Sequence, residues 1–315
     1  MNFHTSYEYL CNFDNIFLAW QRVKSGKSER KDILTFERHL EDNLLDLHSV
    51  LVSREYEHGG YQYMQVFDGK KRDIYKSGVR DKVVDQLVSR YIDRLCRADF
   101  IADTYASIPG RGLHKAVESV RYFCKLSSDG GHRPCFVLKG DVRSYFASID
   151  HEILLDQLRL RVSDENILNL LKTIIKSFEP GLPLGNVASQ ILANIYLHPF
   201  DLFVKKLLRQ RYYARYNDDF VVISESRDEL AKVSPMIQEW LWLELKLCVP
   251  DNKITISKFC AGFEFLGYKI LPQAMLLRGT TKAKVYANFS ERNKTSYLGL
   301  LAHADTYNLR QKLYA

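Results

Sequence analysis

Little in this sequence could staple a small scaffold. Six cysteines, at positions 11, 96, 124, 135, 248 and 260, are scattered along 315 residues with no Cys-x-x-Cys. That spacing excludes a disulfide framework and a zinc knuckle, and it suits a reducing, cytoplasmic setting. Long apolar runs are missing too. No stretch approaches the ~18 uninterrupted apolar residues of a membrane span, so no membrane association is expected. The first twenty residues carry Glu8 and Asp14 and no basic start, so no signal peptide is expected. Internal repeats and low-complexity tracts are absent, which excludes solenoids and disordered linkers. What remains is 46% apolar and 26% charged. Such a chain folds around ordinary cores, in two or three structural units.

Positive charge is modest in total, +7, but unevenly placed. From Lys246 to Ala315 there are 11 Lys and Arg against 4 Asp and Glu, whereas the preceding residues balance at 34 against 34. A clustered surplus favours a phosphate-rich partner, because local charge density drives counterion release. A solvated basic tail is the plainer alternative.

Hydrophobic spacing outlines the elements. Residues 1–58 read mainly as helix, with Phe13, Ile16, Phe17 and Trp20 on one stripe and Phe36, Leu40, Leu44, Leu47 and Leu51 on another. Tyr61–Tyr75 alternates like paired strands about an Asp68-Gly69 turn. Helices are expected over Arg80–Arg97, His114–Leu126, Glu152–Leu160, Asp164–Ser177, Val187–Gln210 and Arg227–Leu245. Strands are expected over Phe136–Val142, Arg211–Tyr216, Phe220–Ser224, Ile254–Phe259 and Phe263–Leu271. The irregular alternation of strands and helices points to an α+β fold, a sheet with helices on one face.

Three carboxylates stand out. Asp141 closes the apolar strand that starts at Phe136, where a charge is poorly solvated; capping a turn is the commoner use of Asp. Asp218 and Asp219 follow Arg211–Tyr216 and precede Phe220-Val-Val-Ile223. A hairpin turn needs one Asx residue, and Asn217 supplies it, so two adjacent charges are either simply solvated or held by cations. Magnesium takes one or two protein carboxylates and leaves room for substrate phosphates. Two such ions about 4 Å apart can clamp the attacking and leaving oxygens of a phosphoryl transfer.

An apolar strand ending in Asp, then an aromatic-x-Asp-Asp hairpin, resembles a reverse transcriptase. Lys139-Gly-Asp-Val-Arg-Ser-Tyr-Phe146 is similar to the first palm motif of that family, and Tyr216-Asn-Asp-Asp219 to its Y-x-D-D box. Lys70-Lys-Arg-Asp-Ile74 with Arg80-Asp81 resembles the fingers motif for the triphosphate. Gly181-Leu-Pro-Leu-Gly-Asn-Val-Ala-Ser-Gln190 resembles the nucleotide pocket, Pro250-Asp-Asn-Lys253 the lysine motif near pyrophosphate, and Phe265-Leu-Gly-Tyr268 the primer grip. Ser189-Gln190, where retroviral and intron enzymes carry Gln-Gly, is similar to diversity-generating retroelements. So are the Phe265–Pro272 stretch and a His303-Ala-Asp-x-x-Asn-Leu segment. Asn217 and the polar 127–134 insertion depart from that pattern. Bacterial phage-defence reverse transcriptases share much of it.

The resemblance implies a right-hand polymerase: an N-terminal helical extension (1–58), fingers (59–135), a palm with an antiparallel sheet and helices on one face (136–272, with a fingers segment near 150–185), and a basic helical thumb (273–315). It implies two Mg²⁺ ions, or Mn²⁺, held by Asp141, Asp218 and Asp219. Lys253 is then a general acid with a modestly lowered pKa. Lys71 and Arg72 meet the triphosphate, Phe146 excludes a 2′-hydroxyl while Tyr145 is core, and Ser189 and Gln190 touch the nascent base pair. Arg111, with His114, and Tyr268, Arg278, Lys282 and Lys284, with Arg292 and Lys294, contact nucleic acid. The implied partners are template RNA, nascent DNA, dNTPs, and a small helical accessory protein or a partner reverse transcriptase.

Overall fold

The computed structural model describes residues 6–67, 71–290 and 293–314. Asp68, Gly69, Lys70 and Arg292 of the sequence reading lie outside them. Along the chain come α1 (Tyr7–Leu10), α2 (Phe13–Lys24), α3 (Lys31–Glu37), α4 (Leu40–Val52), β1 (Tyr61–Phe67), β2 (Lys71–Ser77), α5 (Val79–Cys96) and α6 (Leu113–Ser127). Next are β3 (Phe136–Asp141), α7 (His151–Arg159), α8 (Glu165–Lys176), α9 (Val187–Leu202), β4 (Tyr212–Tyr216), β5 (Asp219–Ser224) and α10 (Arg227–Leu245). The chain ends with β6 (Thr255–Lys258), β7 (Phe263–Phe265), β8 (Tyr268–Ile270), β9 (Met275–Leu277), α11 (Gly279–Asn288), α12 (Lys294–Ala302) and α13 (Tyr307–Tyr314).

Two compact units share these elements: residues up to Phe100 with Ser144–Pro199, and Ile101–Arg143 with everything from Phe200 on. Boundaries drawn from sequence near 58, 135 and 272 do not coincide with them. The N-terminal helices join the β1–β2 hairpin in one unit, and the basic C-terminal helices share a unit with the main sheet.

In the first unit, amphipathic spacing decides which faces are buried. Ile16, Ala19, Trp20 and Val23 of α2 turn inward, as do Leu44, Leu47 and Leu51 of α4. Side-chain oxygens of Asn12, Asp150 and Asp164 cap α2, α7 and α8 by accepting from first-turn amides. The long helix expected through Gln210 stops at Leu202 and widens into a π turn, Phe203–Leu207. Pro199 inside α9 removes one ladder donor, a signal that was open to view.

The second unit is built on an antiparallel sheet of order β4-β5-β3-β6. Successive strand residues face opposite sides. Phe220 and Tyr213 meet Phe200, which also lies 6.0 Å, ring to ring, from Trp240 of α10. On the other face Val137, Ala214, Val221 and Ile223 join one core with α6, β7–β9 and Val285, Leu301 and Leu309 of the terminal helices. The single strand expected over Phe263–Leu271 is a hairpin, β7–β8, turned at Leu266 (φ 47°) and Gly267 (φ 86°).

Candidate active site

Strand register brings distant residues together. β3 and β5 pair so that Asp141 lies opposite Asp219, and β4 and β5 so that Tyr216 does too. Between β4 and β5 the turn is Asn217-Asp218, with Asn217 at φ 52°, a conformation Asn tolerates. Val142 N–H donates to the Asp218 carbonyl, 3.4 Å, tying this turn to the end of β3. Alternation puts Lys139, Asp141 and Asp219 on one face at one end of the sheet.

Packing three carboxylates here is costly. Burial, then the adjacent Asp219, pushes Asp218 up to about 7, and Asp141 adds to it. Burial also raises Asp219, with Lys139 opposing. Two ammonium groups offset the charge: Lys253 Nζ lies 2.6 Å from Asp141 Oδ2, and Lys139 Nζ 3.5 Å from Asp219 Oδ1. The bond to Asp141 raises the Lys253 pKa, so the lowered value expected of a general acid is not what the structure contains.

Beneath the turn lies a network that sequence reading missed. Arg215 and Asp201 are both fully buried. Arg215 donates Nε–H to Asp201 Oδ1 at 2.7 Å and Nη2–H to Oδ2 at 2.6 Å. Tyr213 Oη–H and Thr104 Oγ1–H complete the carboxylate, at 2.7 and 2.8 Å. The remaining guanidinium nitrogen donates to the Asn217 carbonyl, 3.0 Å, inside the turn itself. A buried charge survives only when paired and hydrogen-bonded, and here the pair clamps the loop that carries Asp218. An Arg inside the apolar strand Tyr212–Tyr216 was the available signal.

Among the described residues no three His, Cys, Asp or Glu side chains converge tightly enough to form a finished metal cage. The donor set still suits a hard divalent ion: oxygen only, crowded like charge, and cations already drawn in. Asn217 Oδ1 adds a buried oxygen with no hydrogen-bond partner.

The other expected residues divide. Tyr145 is core, 2% exposed, donating to the Ala193 carbonyl; Phe146 is half-buried. Gly181 (φ 71°) packs against the Phe146 carbonyl so closely that a Cβ would sit 2.1 Å from it. Gln190 is exposed, but Ser189 is buried at 3% exposure, so it faces protein and not a base pair. Lys71 and Arg72 are exposed on β2. Arg111 Nη1 donates to the carbonyls of Ile101, 2.5 Å, and Thr104, 2.7 Å, and so staples its own loop. Tyr268 is fully buried and donates to the Leu300 carbonyl at 3.0 Å, so it is core and not a surface grip. His114 stacks on His303 with ring centres 3.8 Å apart. Arg278, Lys282 and Lys284 are exposed, Arg278 Nε lying 2.7 Å from Glu264.

The sheet and its paired carboxylates belong to the right-hand polymerase fold. The chain belongs to the reverse transcriptase family: residues 67–270 match the family described as reverse transcriptase (RNA-dependent DNA polymerase). It is 27% identical over 251 residues to protein YkfC of Escherichia coli K12, covering 66% of this chain and 65% of that one. To the group II intron-encoded protein LtrA of Lactococcus lactis it is 25% identical over 217 residues, 64% of this chain and 35% of LtrA. The chain thus spans between about a third and two thirds of these relatives. Its fold is similar to apo telomerase from Candida tropicalis: TM-score 0.56, 13% identity, covering 74% of this chain and 50% of that one.

Proposed function

We propose that the protein is an RNA-templated DNA polymerase that adds dNTPs to a primer 3′ end. The observation that carries this reading is Asp141 opposite Asp219, with Asp218 in the adjoining turn. Asp141 and Asp218, supported by Asp219, would hold two Mg²⁺ ions. When bound, such ions would supply charge neutralisation for the attacking 3′-oxygen and the departing pyrophosphate. The chain's own residues orient and charge the site. Arg215 and Asp201 fix the turn, while Lys253 and Lys139 release their carboxylates when the substrate complex forms. Lys253 is then an ammonium next to the leaving phosphates, a proton donor at Nζ. Lys71 and Arg72 bind triphosphate, Arg by its planar fork. Phe146, held by Tyr145 and Gly181, excludes a 2′-hydroxyl by clash. Lys282 and Lys284 of a basic thumb grip the RNA–DNA duplex by its backbone.

Within the family, Ser189-Gln190 and the 265–272 stretch favour the diversity-generating retroelement type, an error-prone copier of a template RNA working with a small helical accessory protein. Primer extension on RNA and DNA templates, with dNTPs or NTPs, tests the chemistry. Asp218→Asn should lower the rate at least about 10²–10³-fold, the scale of losing one charge-stabilising group. An unchanged rate would remove the assignment. Faithful copying opposite template adenine would shift the role toward phage defence.

A further inference from the structure

In the first unit a buried acid lies next to the 181–186 loop, and the polymerase chemistry does not use it. Asp85 of α5 is 2% exposed, and among the described residues its Oδ1 has no hydrogen-bond partner. Ser77, the last residue of β2, stands between Asp85 and the loop. Its Oγ lies 3.5 Å from Asp85 Oδ2 and 3.4 Å from Asn186 Oδ1. Ser77 and Asn186 are buried as well. A hydroxyl carries one proton, so Ser77 can donate to only one of these two acceptors at a time. The other side of the Asn186 amide is hydrogen-bonded to Tyr61 Oη, which leaves Oδ1 facing Ser77. Two backbone bonds hold the rest of the loop: Tyr75 N–H donates to the Leu184 carbonyl at 3.2 Å, and Leu182 N–H to the Phe146 carbonyl at 2.8 Å. Asn186 therefore closes one end of a segment whose other end seats Phe146.

The charged and titratable groups facing this cluster come from several elements. Asp81 and Lys82 share the helix of Asp85, and Asp32 of α3 holds Lys82 at 3.6 Å. Ahead of β1, Tyr56 Oη–H and Gly59 N–H donate to Asp81 Oδ1 at 2.8 and 3.2 Å. Arg80, 4.0 Å from Asp46 of α4, lies over the Tyr56 ring. Tyr61 Oη of β1 meets Ser177 Oγ at 2.8 Å and His58 Nε2 at 3.2 Å. Arg22 of α2 lies near Arg90, further along α5. Burial, then Asp81, raises Asp85 to about 7, so it changes charge near neutral pH.

We infer that Asp85 is a positioning residue whose protonation decides, through Ser77 and Asn186, how firmly the 181–186 loop seats Phe146 for an incoming nucleotide. When Asp85 is protonated, its Oδ2–H donates to Ser77 Oγ and the Ser77 O–H donates to Asn186 Oδ1. One chain of bonds then runs from α5 to the loop. When the proton leaves to water, the carboxylate takes the Ser77 O–H and Asn186 Oδ1 loses its donor. A buried acceptor without a donor is unfavourable, so the loop loosens as pH rises through about 7. The inference rests on the reading of the chain as a polymerase with Phe146 at the nucleotide sugar.

The test is amide hydrogen exchange of the full chain at pH 6 and pH 8, each corrected for the intrinsic rate at that pH. In the parent, protection across 181–186 should fall about 2- to 10-fold at pH 8, the equivalent of one hydrogen bond. Asp85→Asn should keep the pH 6 protection at both values, since a carboxamide donates to Ser77 and does not ionise. Ser77→Ala should show the loosened loop at both. Should one variant fail to fold, the other decides alone. Loop protection that keeps the parent's pH step in either folded variant would overturn the inference. So would a parent step of equal size throughout α8, for the effect would then be global. Primer extension supplies a second readout. From pH 6 to pH 8 the KM for dNTP should rise about 2- to 10-fold more in the parent than in Asp85→Asn, with the ratio of their kcat values unchanged. A chain that shows the exchange pattern but extends no primer would sink the polymerase reading and leave the Asp85 link standing. A chain that extends primers without the pattern would sink the link alone.

Discussion

Two aspartates illustrate how one group is put to different use. Asp218 and Asp85 are each raised to about 7, chiefly by burial and then by a neighbouring aspartate, Asp219 and Asp81 respectively. Asp218 sits at a sheet end near Lys253, where charge can be matched. Among the described residues Asp85, 2% exposed on α5, accepts a side-chain hydrogen bond from Ser77 Oγ alone, at 3.5 Å, and its Oδ1 has no partner. Its folded pKa lies above the ~3.9 of an unfolded Asp. The folded state therefore holds the proton more tightly. That stability is complete below about pH 4 and is lost as pH rises through about 7. Urea titrations at pH 5 and pH 8 should find the parent chain weaker at pH 8, by an amount on the order of a few kcal/mol. Asp85→Asn should remove a share of that difference, Asp218 with the same raised value contributing a comparable one. An equal pH difference in the variant would refute this reading of Asp85. The carboxylates of the site were legible in the sequence because they stand at the ends of apolar strands or in the turn between them. Lys139 as the counter-ion of Asp219, and Asp201 as the partner of Arg215, were not, since both pairings cross between elements.

At the scale of elements, the β3–β5 pair matters most. Gly140 lies opposite Phe220, and a Cβ built at Gly140 would stand 2.2 Å from the Phe220 ring. That ring is fully buried, with its centre 5.1 Å from that of Phe200, so it has little room to move. The glycine lets the ring lie across the strand immediately beside Asp141. Gly140→Ala should therefore destabilise the fold by about 1–3 kcal/mol, the usual cost of overpacking. It should also lower polymerisation, because relief requires a shift of β3. Thermal unfolding with and without the substitution checks this; an unchanged midpoint would mean that the ring finds another seat. Strand and helix positions followed from periodicity, yet the β7–β8 turn and the end of α9 did not. Both are short-range events that an apolar run conceals: Phe263–Leu271 is hydrophobic through its own turn.

For the whole molecule, charge is the property most open to measurement. The surplus of the last seventy or so residues is real, but it is not all available. Arg278 is paired with Glu264 at 2.7 Å, whereas Lys282 is exposed on α11 and, among the described residues, makes no ion pair. Lys282→Gln should flatten the salt dependence of duplex binding by up to about 0.9 for its phosphate contact, and Arg278→Gln by less. Filter binding across a salt series would decide it, and equal effects at Lys282 and Arg278 would contradict the pairing argument. The terminal basic helices are also not detached: Val285, Leu301 and Leu309 share a core with the sheet.

By itself the sequence determined the family and the order of most elements, because motifs, local periodicity and residue type are written in linear form. It marked three acids, their strands and the basic end. Tertiary structure alone decided which side chains are free to act. Ser189, Arg111 and Tyr268 carry suitable groups but spend them on protein, buried or bonded to backbone carbonyls. Burial and pairing depend on what the chain brings alongside each residue, and that partner can lie a hundred positions away, as Lys253 does from Asp141.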